Sequence, residues 1–250
     1  MNVSDNLHIF SEEIKSSFLL HVPHSSITIP YYDEFLNEKN VIDEQIILTD
    51  WCTDAIFDVY NIDKLRCPFS RVFCDVERFS DETEVMEKYG KGFVYTLTDD
   101  NKELRIANCD KDYIKNNFYD SYHEKFNKII TDKIEKYGYA YIFDCHSFPN
   151  IPLLKDLHKD KNRPDICIGT NPNTPKYLIT FVSNYFLSYG YSVSINNPYS
   201  GSIVPIQYIN DNRVKSIMIE LNRDLYMEGK YIDTSKLIQL NKLINNLFNF

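Results

Sequence analysis

Six short apolar runs divide the chain, and each is typical of a buried β-strand. They cover residues 17–22, 71–76, 139–144, 165–169, 191–195 and 215–221. Apolar residues also recur at helical spacing, over residues 42–60, 113–137, 174–189 and 235–248. Strands that alternate with helices predict an α/β fold with a mixed, mostly parallel sheet flanked by helices. Since we find no linker, repeat or low-complexity segment, we expect one domain over residues 1–250.

One segment, at about residues 80–104, departs from this alternation. It contains Gly90-Lys91-Gly92 and then the apolar stretch Phe93–Thr98, which ends before Asp99-Asp100-Asn101. The pattern predicts a loop followed by a β-hairpin. An excursion of this length from a sheet is typical of an active-site wall or lid, and a plain surface flap is the alternative.

Composition narrows the class of protein. The net charge of -9 argues against a nucleic-acid binder, which normally carries a basic patch. There is no apolar stretch long enough to span a membrane, and the N-terminus Met1–Asn6 lacks the features of a signal peptide, so we expect a cytoplasmic protein. The six cysteines are scattered and form no CxxC pair, which predicts reduced, buried thiols.

Three histidines lie at or just beyond the ends of predicted strands. His21 and His24 follow the run Ser17–Leu20, and His146 follows the run Tyr139–Phe143. In α/β proteins the strand ends carry the chemistry, and backbone geometry there can hold an imidazole in the neutral form that a metal needs. A catalytic zinc typically takes three histidine and carboxylate ligands and leaves one position for water. The pattern therefore predicts a metal site.

The carboxylate ligand could come from Asp50 or Asp54. These residues lie four positions apart in a predicted helix, so both should share one helix face. Such a pair is also typical of a solvated helix surface, although the neighbouring Trp51, Ile56 and Phe57 indicate that part of the helix is buried. A buried carboxylate needs a partner.

Glu220 interrupts the last apolar run, within Ile217–Leu221. Glutamate is almost never fully buried unless it is paired, so Glu220 either faces a cleft at the strand end or forms an ion pair, for which Arg223 is the nearest candidate. In a cleft beside a metal it would act as a general base that deprotonates the attacking water. Cys145 is set aside as a nucleophile for His146, because adjacent strand residues point to opposite faces.

Two further segments offer polar groups that could hold a substrate. Arg71 and Arg78 bracket a predicted strand, and each guanidinium could hold a substrate carboxylate through two hydrogen bonds or could pair with a neighbouring carboxylate. Asn197–Gly201 is a turn-rich segment that suits a binding loop and a plain turn equally well.

These stretches, in this order, resemble the N-formylglutamate amidohydrolase family, whose fold is similar to that of the zinc carboxypeptidases and aspartoacylases. The resemblance runs nearly end to end. Its elements are Pro23-His24-Ser25 with Pro30, Asp50-Trp51 with Asp54, Ser70-Arg71 to Arg78, Gly90-Lys91-Gly92, Tyr122-His123, Asp144-Cys145-His146-Ser147, Asn197-Pro198-Tyr199-Ser200-Gly201 and Ile219-Glu220-Leu221-Asn222-Arg223.

The resemblance implies a hydrolase that binds one zinc ion, or another divalent metal, and cleaves the amide of an N-acyl acidic amino acid such as N-formyl-L-glutamate. It implies His24, His146 and Asp54 as metal ligands, with His21 or Asp50 as the alternative third ligand. Glu220 would be the base. Arg71 would stabilise the oxyanion, Arg78 and Arg223 would hold the carboxylate, and Asn197 and Tyr199 would contact the substrate. Asp144 would orient a ligating imidazole.

One position departs from the pattern of the family. Glu77 stands where the related sequence Asp-Leu-Asn-Arg has asparagine. An added negative charge beside an acidic substrate would lower the affinity for it, so another acyl amino acid or a peptide is an alternative substrate. A zinc peptidase and a catalytically inactive small-molecule-binding relative are the alternative functions.

Overall fold

A six-stranded sheet forms the centre of the computed structural model, which describes residues 12–249. The strands of the sheet are β1 (Phe18–Val22), β2 (Asp63–Arg66), β3 (Ala140–Phe148), β4 (Ile166–Gly169), β5 (Val193–Ile195) and β6 (Val214–Asn222). Their spatial order is β2-β1-β3-β6-β4-β5. Only the β4–β6 pairing is antiparallel among these described strands, so the expected mixed, mostly parallel sheet is confirmed.

Helices cover both faces of this sheet. They are α1 (Glu12–Lys15), α2 (Glu38–Leu48), α3 (Thr53–Ile56), α4 (Lys111–Ile114), α5 (Asp120–Tyr137), α6 (Lys176–Ser188) and α7 (Thr234–Phe248). A π-helical stretch, Lys115–Tyr119, joins α4 to α5, and a small hairpin of β7 (Met227–Glu228) and β8 (Tyr231–Ile232) precedes α7. Helices α3, α6 and α7 pack on one face of the sheet and α5 on the other.

The central strands are buried on both faces, which is why they read as continuous apolar runs. All five residues of β1 and all nine of β3 are buried. Alternate side chains of β3 enter different cores: Phe143 and Cys145 pack with α6 and α7, whereas Ile142 packs with α5. The expected burial of Cys145 on the face opposite His146 is therefore confirmed.

The apolar run at residues 71–76 is not a strand, contrary to the prediction. The chain turns there, with the N–H groups of Phe73 and Cys74 donating to the carbonyl of Ser70. The apolar side chains of this run are buried beneath the excursion. The apolar pattern therefore reflects burial and not strand structure. The sheet edge is formed instead by β2, which is short and largely exposed and therefore has no apolar run to predict it.

The predicted helix over residues 42–60 is broken into α2 and α3. α2 ends at Leu48 because Thr49 is extended, and Cys52 then adopts a left-handed conformation with φ of 59° before α3 begins. Within the break, the backbone N–H of Asp50 donates to the carbonyl of His24 at 3.0 Å. The break therefore ties Asp50 to the end of β1.

The excursion at residues 80–104 exists, but its hairpin is reduced to isolated bridges, Lys91 with Tyr95 and Leu97 with Glu103. A buried ion pair fixes it to α2, because the Lys91 ammonium contacts the Glu44 carboxylate. The same carboxylate accepts the backbone N–H of Asp99 at 3.0 Å. Glu44 thus holds the excursion at two points, Lys91 and Asp99.

We expect Glu44→Ala to destabilise the fold by about 3–5 kcal/mol, because it leaves the Lys91 charge buried without its partner. The side chains of Glu44 and Lys91 are only 2% and 5% exposed. The measurement is the free energy of unfolding in urea. Asp43→Ala is the matched control on the same helix: it removes the exposed pair with Lys39, and its effect should be much smaller. Equal losses of unfolding free energy in the two variants would contradict a stabilising role for the buried Glu44–Lys91 pair.

The structure tests some of the expectations that were drawn from composition. Residues Met1–Asn6, on which the expected absence of a signal peptide rests, lie outside the described residues. In the part of the chain that the structure describes, no helix has the length and apolar character needed to cross a bilayer. The six cysteines are free thiols; four are buried, while Cys52 and Cys109 are partly exposed.

Candidate active site

The ends of three neighbouring strands bring polar side chains to one face of the sheet. In the parallel register, His21 of β1 lies opposite Asp144 of β3, and His146 of β3 lies opposite Glu220 of β6. Alternate residues of a strand share a face, so these four side chains lie on the face covered by α5. This is the arrangement that the sequence predicts at the strand ends.

His24, Asp50 and His146 form a compact buried cluster. Their ligand atoms lie within 4.8 Å of one another. The Asp50 Oδ2 atom is 3.1 Å from His146 Nδ1 and 3.7 Å from His24 Nδ1. The His24 Nδ1 atom is buried and has no hydrogen-bond partner. Two imidazole nitrogens and one carboxylate oxygen are the ligands typical of a catalytic zinc site.

Two carboxylates orient the imidazoles of this cluster. Asp75 Oδ1 lies 2.9 Å from His24 Nε2, and Asp144 Oδ1 lies 2.9 Å from His146 Nε2. Burial disfavours the charged imidazoles, but the surrounding carboxylates raise the pKa of His146 well above its ordinary value and also raise the pKa of His24. Without a metal ion these carboxylates therefore favour protonated imidazoles, with an Nδ1–H of His146 donating to Asp50. A divalent cation that displaced the two Nδ1 protons would meet two imidazole lone pairs and the Asp50 carboxylate.

The structure does not bring Asp54, the expected third ligand, to this cluster. Its carboxylate pairs with Arg66 at 3.2 Å, and the Asp54 side chain is 31% exposed. Asp50 lies in the cluster instead, because the break after α2 removes the helical spacing that would have placed both aspartates on one face.

His21, the alternative third ligand, also lies outside the cluster. Its Nδ1 atom donates to Asp144 Oδ1 at 2.8 Å, and its Nε2 atom accepts from the Tyr122 hydroxyl at 2.8 Å. Both nitrogens are thus engaged. His21 supports Asp144, which in turn orients His146, so its contribution to the cluster is indirect.

Arg223 holds Asp50 and the chain around it. Its guanidinium donates to Asp50 Oδ1 at 3.1 Å, to the Ile47 carbonyl at 2.6 Å and to Ser147. The resemblance implies that Arg223 binds a substrate carboxylate. The structure does not fit this role, because all three guanidinium nitrogens of Arg223 already donate to the protein. Burial disfavours the Asp50 charge, but the neighbouring imidazoles of His146 and His24 still hold the pKa of Asp50 below its ordinary value.

Glu220 faces the same cavity beside His146. The carboxylate is 8% exposed, and its Oε2 atom is buried without a hydrogen-bond partner. Burial raises the pKa of Glu220 to about 7. A carboxylate that exchanges its proton near neutral pH has the property required of a general base. Of the two possibilities that the sequence leaves open for Glu220, the structure has the one in which it faces a cleft.

Arg71 and Arg78 flank Asp75 on the cavity wall. Arg71 donates twice to Asp75 Oδ2, at 2.9 and 3.1 Å, and its Nη1 atom lies 4.0 Å from Asp50 Oδ1. Arg78 is less engaged: its Nε atom lies 3.9 Å from Asp75 and is buried with no hydrogen-bond partner. Arg78 therefore has donors left for a ligand.

Glu77 lies at the centre of the three strand-end histidines. Its Oε2 atom is 3.3 Å from His146 Nε2 and 3.6 Å from His24 Nε2, and its Oε1 atom is 3.6 Å from His21 Nδ1. The Oε1 atom is buried without a partner. The residue that departs from the family pattern is therefore in the site and is not a surface replacement.

A cavity of about 550 Å³ opens onto these residues. The excursion contributes part of its wall, as the active-site-wall alternative predicts, through Met86, Lys91 and Tyr95. Tyr199 also lines the cavity, although its hydroxyl is already bonded to Asp156 and Arg163. Asn197, expected to contact substrate, is exposed and does not belong to the cavity wall.

Comparison with known proteins gives a consistent result. The model of the N-formylglutamate amidohydrolase family matches residues 16–227. The structure is similar to the crystal structure of N-formylglutamate amidohydrolase from Ralstonia eutropha JMP134, with a TM-score of 0.79 and 20% identity, over 93% of this chain and 91% of that chain. It is also similar to a gene product from Agrobacterium tumefaciens, with a TM-score of 0.67 and 16% identity, over 96% and 93%. No curated protein is significantly similar in sequence.

Proposed function

The chain belongs to the N-formylglutamate amidohydrolase family, and from that premise we propose that it is a zinc-dependent hydrolase of the amide bond of an N-acyl amino acid. N-formyl-L-glutamate, cleaved to formate and glutamate, is the substrate that the family suggests. The observation that carries the proposal is the His24–Asp50–His146 cluster, with its unpartnered His24 Nδ1 atom, beside the buried Glu220.

The residues present fit a divalent metal ion. His24 Nδ1, His146 Nδ1 and Asp50 Oδ2 would hold it, and Asp75, Asp144 and Arg223 orient those three side chains. A zinc ion held there would polarise the amide carbonyl and make a water molecule more acidic. Other divalent metals accept the same ligands, so the identity of the metal is part of the test.

The reaction then uses the side chains around the cavity. Glu220 takes a proton from the attacking water and delivers it to the leaving amine nitrogen, which a carboxylate with a pKa near 7 can do in both directions. Arg71 stabilises the negative charge that develops on the carbonyl oxygen. Arg78 binds the carboxylate of the amino acid and fixes the amide relative to Glu220. Because Glu220 shares the cavity with both predicted ligating histidines, an inactive binding protein is the weaker alternative.

The direct test measures metal content and hydrolysis together. Purified protein should contain about one equivalent of zinc or another divalent metal per chain and should release free amine from N-formyl amino acids. Treatment with a chelator should abolish hydrolysis, and readdition of the metal should restore it. Hydrolysis that continues in metal-depleted protein would contradict the metal requirement, and the absence of hydrolysis with every N-acyl amino acid would contradict the function.

A further inference from the structure

Most of the cations that line the cavity are already engaged with acceptors of the protein. Arg71 donates to Asp75, Arg223 to Asp50 and backbone carbonyls, Lys91 to Glu44, and Lys155 to the carbonyl of Tyr89 at 2.6 Å. Among the described residues that line the cavity, Arg78 is the cation whose Nε atom is buried without a partner. The wall therefore offers one uncommitted guanidinium.

One uncommitted guanidinium suits a substrate with one carboxylate. A guanidinium binds one carboxylate with its paired donors. N-formyl-L-glutamate carries two, so its side-chain carboxylate would need a second cation. Lys155 also lines the cavity and pairs with no carboxylate of the described residues, but its ammonium already donates to the Tyr89 carbonyl. Glu77 and Arg78 line the same cavity, so a substrate whose α-carboxylate is bound by Arg78 also shares that cavity with the negative charge of Glu77. A second carboxylate there would meet repulsion instead of a partner.

The same cavity has apolar side chains that the protein leaves uncovered. Phe79, Ile206 and Ile209 line it and are 49%, 69% and 50% exposed. The segment that carries the two isoleucines is joined to the site, because the backbone N–H of Ile203 donates to Asp144 Oδ2 at 3.0 Å. A volume of about 550 Å³ also falls in the range of pockets that bury drug-sized ligands, which are larger than N-formyl-L-glutamate.

We propose that the preferred substrate is an N-acyl amino acid with a single carboxylate and a large apolar side chain, and that Glu77 discriminates against acidic side chains. Arg78 binds the α-carboxylate, and the apolar side chain covers the exposed wall of Phe79, Ile206 and Ile209. This inference rests on the proposed amidohydrolase function and deepens it by naming the substrate class.

The experiment compares kcat/KM for two substrates of similar size, N-formyl-L-leucine and N-formyl-L-glutamate, with the metal-loaded enzyme. We expect the leucine derivative to be preferred by at least about tenfold, the scale of one apolar contact in a pocket. If the glutamate derivative is preferred, this inference is wrong and the amidohydrolase function stands. If neither is hydrolysed, the function itself is wrong. Binding of both compounds to Glu220→Gln by calorimetry then still decides the side-chain preference.

Two variants separate the charge from the apolar wall. Glu77→Gln should shift the ratio of the two kcat/KM values about tenfold toward N-formyl-L-glutamate, because it removes the repulsive charge. Ile206→Ser should lower kcat/KM for N-formyl-L-leucine several-fold more than for N-formyl-L-alanine. Ile238→Ser is the matched control, since Ile238 is 48% exposed on α7 and does not belong to the cavity wall. An unchanged ratio in Glu77→Gln would overturn the role given to Glu77.

Discussion

Glu220→Gln should lower kcat/KM for N-formyl amino acids by about 10²–10⁴-fold, the usual contribution of a positioned general base. The amide has nearly the same shape as the carboxylate but cannot accept the proton of the attacking water. Because Glu220 does not belong to the His24–Asp50–His146 cluster, the metal content should not change. The measurement is steady-state kinetics beside metal analysis of the same preparation.

The pH profile provides a second readout of this residue. The base must be ionised to act, so activity should rise with pH as Glu220 loses its proton. Burial raises the pKa of Glu220 to about 7, and a bound cation nearby would lower it again, so the acidic limb should lie at or below about pH 7. Glu124→Gln, on the outer side of α5, is the matched control and should leave both rate and profile unchanged. An active Glu220→Gln enzyme would exclude Glu220 as the base.

The part of the site that lies on the sheet could be predicted from sequence, because strand geometry is regular. His21, Asp144, His146 and Glu220 follow or interrupt apolar runs, and parallel strands place such residues at one edge. The alternation of side chains also predicted that Cys145 would point away from His146 into the core. These inferences need only the order of the residues along a strand.

The part of the site that lies on loops could not be predicted in the same way. The preference for Asp54 over Asp50 came from the family resemblance. The expectation that both aspartates share one helix face required a continuous helix, and the left-handed Cys52 that interrupts it is not visible in a pattern of apolar residues. Asp75 lies within the apolar run at residues 71–76 and Glu77 directly follows it; the pattern predicts a strand there, but the chain forms a buried turn. Their contacts with His24 and His146 arise from the path of this turn, which the sheet geometry does not determine.

The charges around the cavity explain why a cation belongs in this site. Five buried or mostly buried carboxylates surround the histidines, against three guanidinium groups: Asp50, Asp75, Glu77, Asp144 and Glu220 against Arg71, Arg78 and Arg223. Carboxylates out of water need compensating charge, and the arginines leave an excess of about two negative charges when all are ionised. Protonated His24 and His146 would neutralise that excess without a metal, and one divalent ion would do so when the two imidazoles act as neutral ligands.

Asp50→Asn should therefore abolish high-affinity metal binding, whereas Asp54→Asn should leave it unchanged. The first replacement removes both a ligand and its negative charge, and we expect the zinc dissociation constant to rise by more than about 100-fold, beyond the range seen when only an orienting group is lost. Hydrolysis should fall in parallel. Asp54 is the matched control because its carboxylate pairs with Arg66 near the surface and makes no contact with the cluster.

The comparison is informative because the two aspartates are four residues apart and undergo the same chemical change. Calorimetric titration of metal-depleted protein with zinc gives the dissociation constants directly, without reference to activity. Circular dichroism then verifies that both variants fold, since the Asp50→Asn variant lacks the buried charge with which Arg223 pairs in the wild type. Loss of zinc binding in Asp54→Asn with normal binding in Asp50→Asn would contradict the cluster and would favour the ligand set that the sequence resemblance implies.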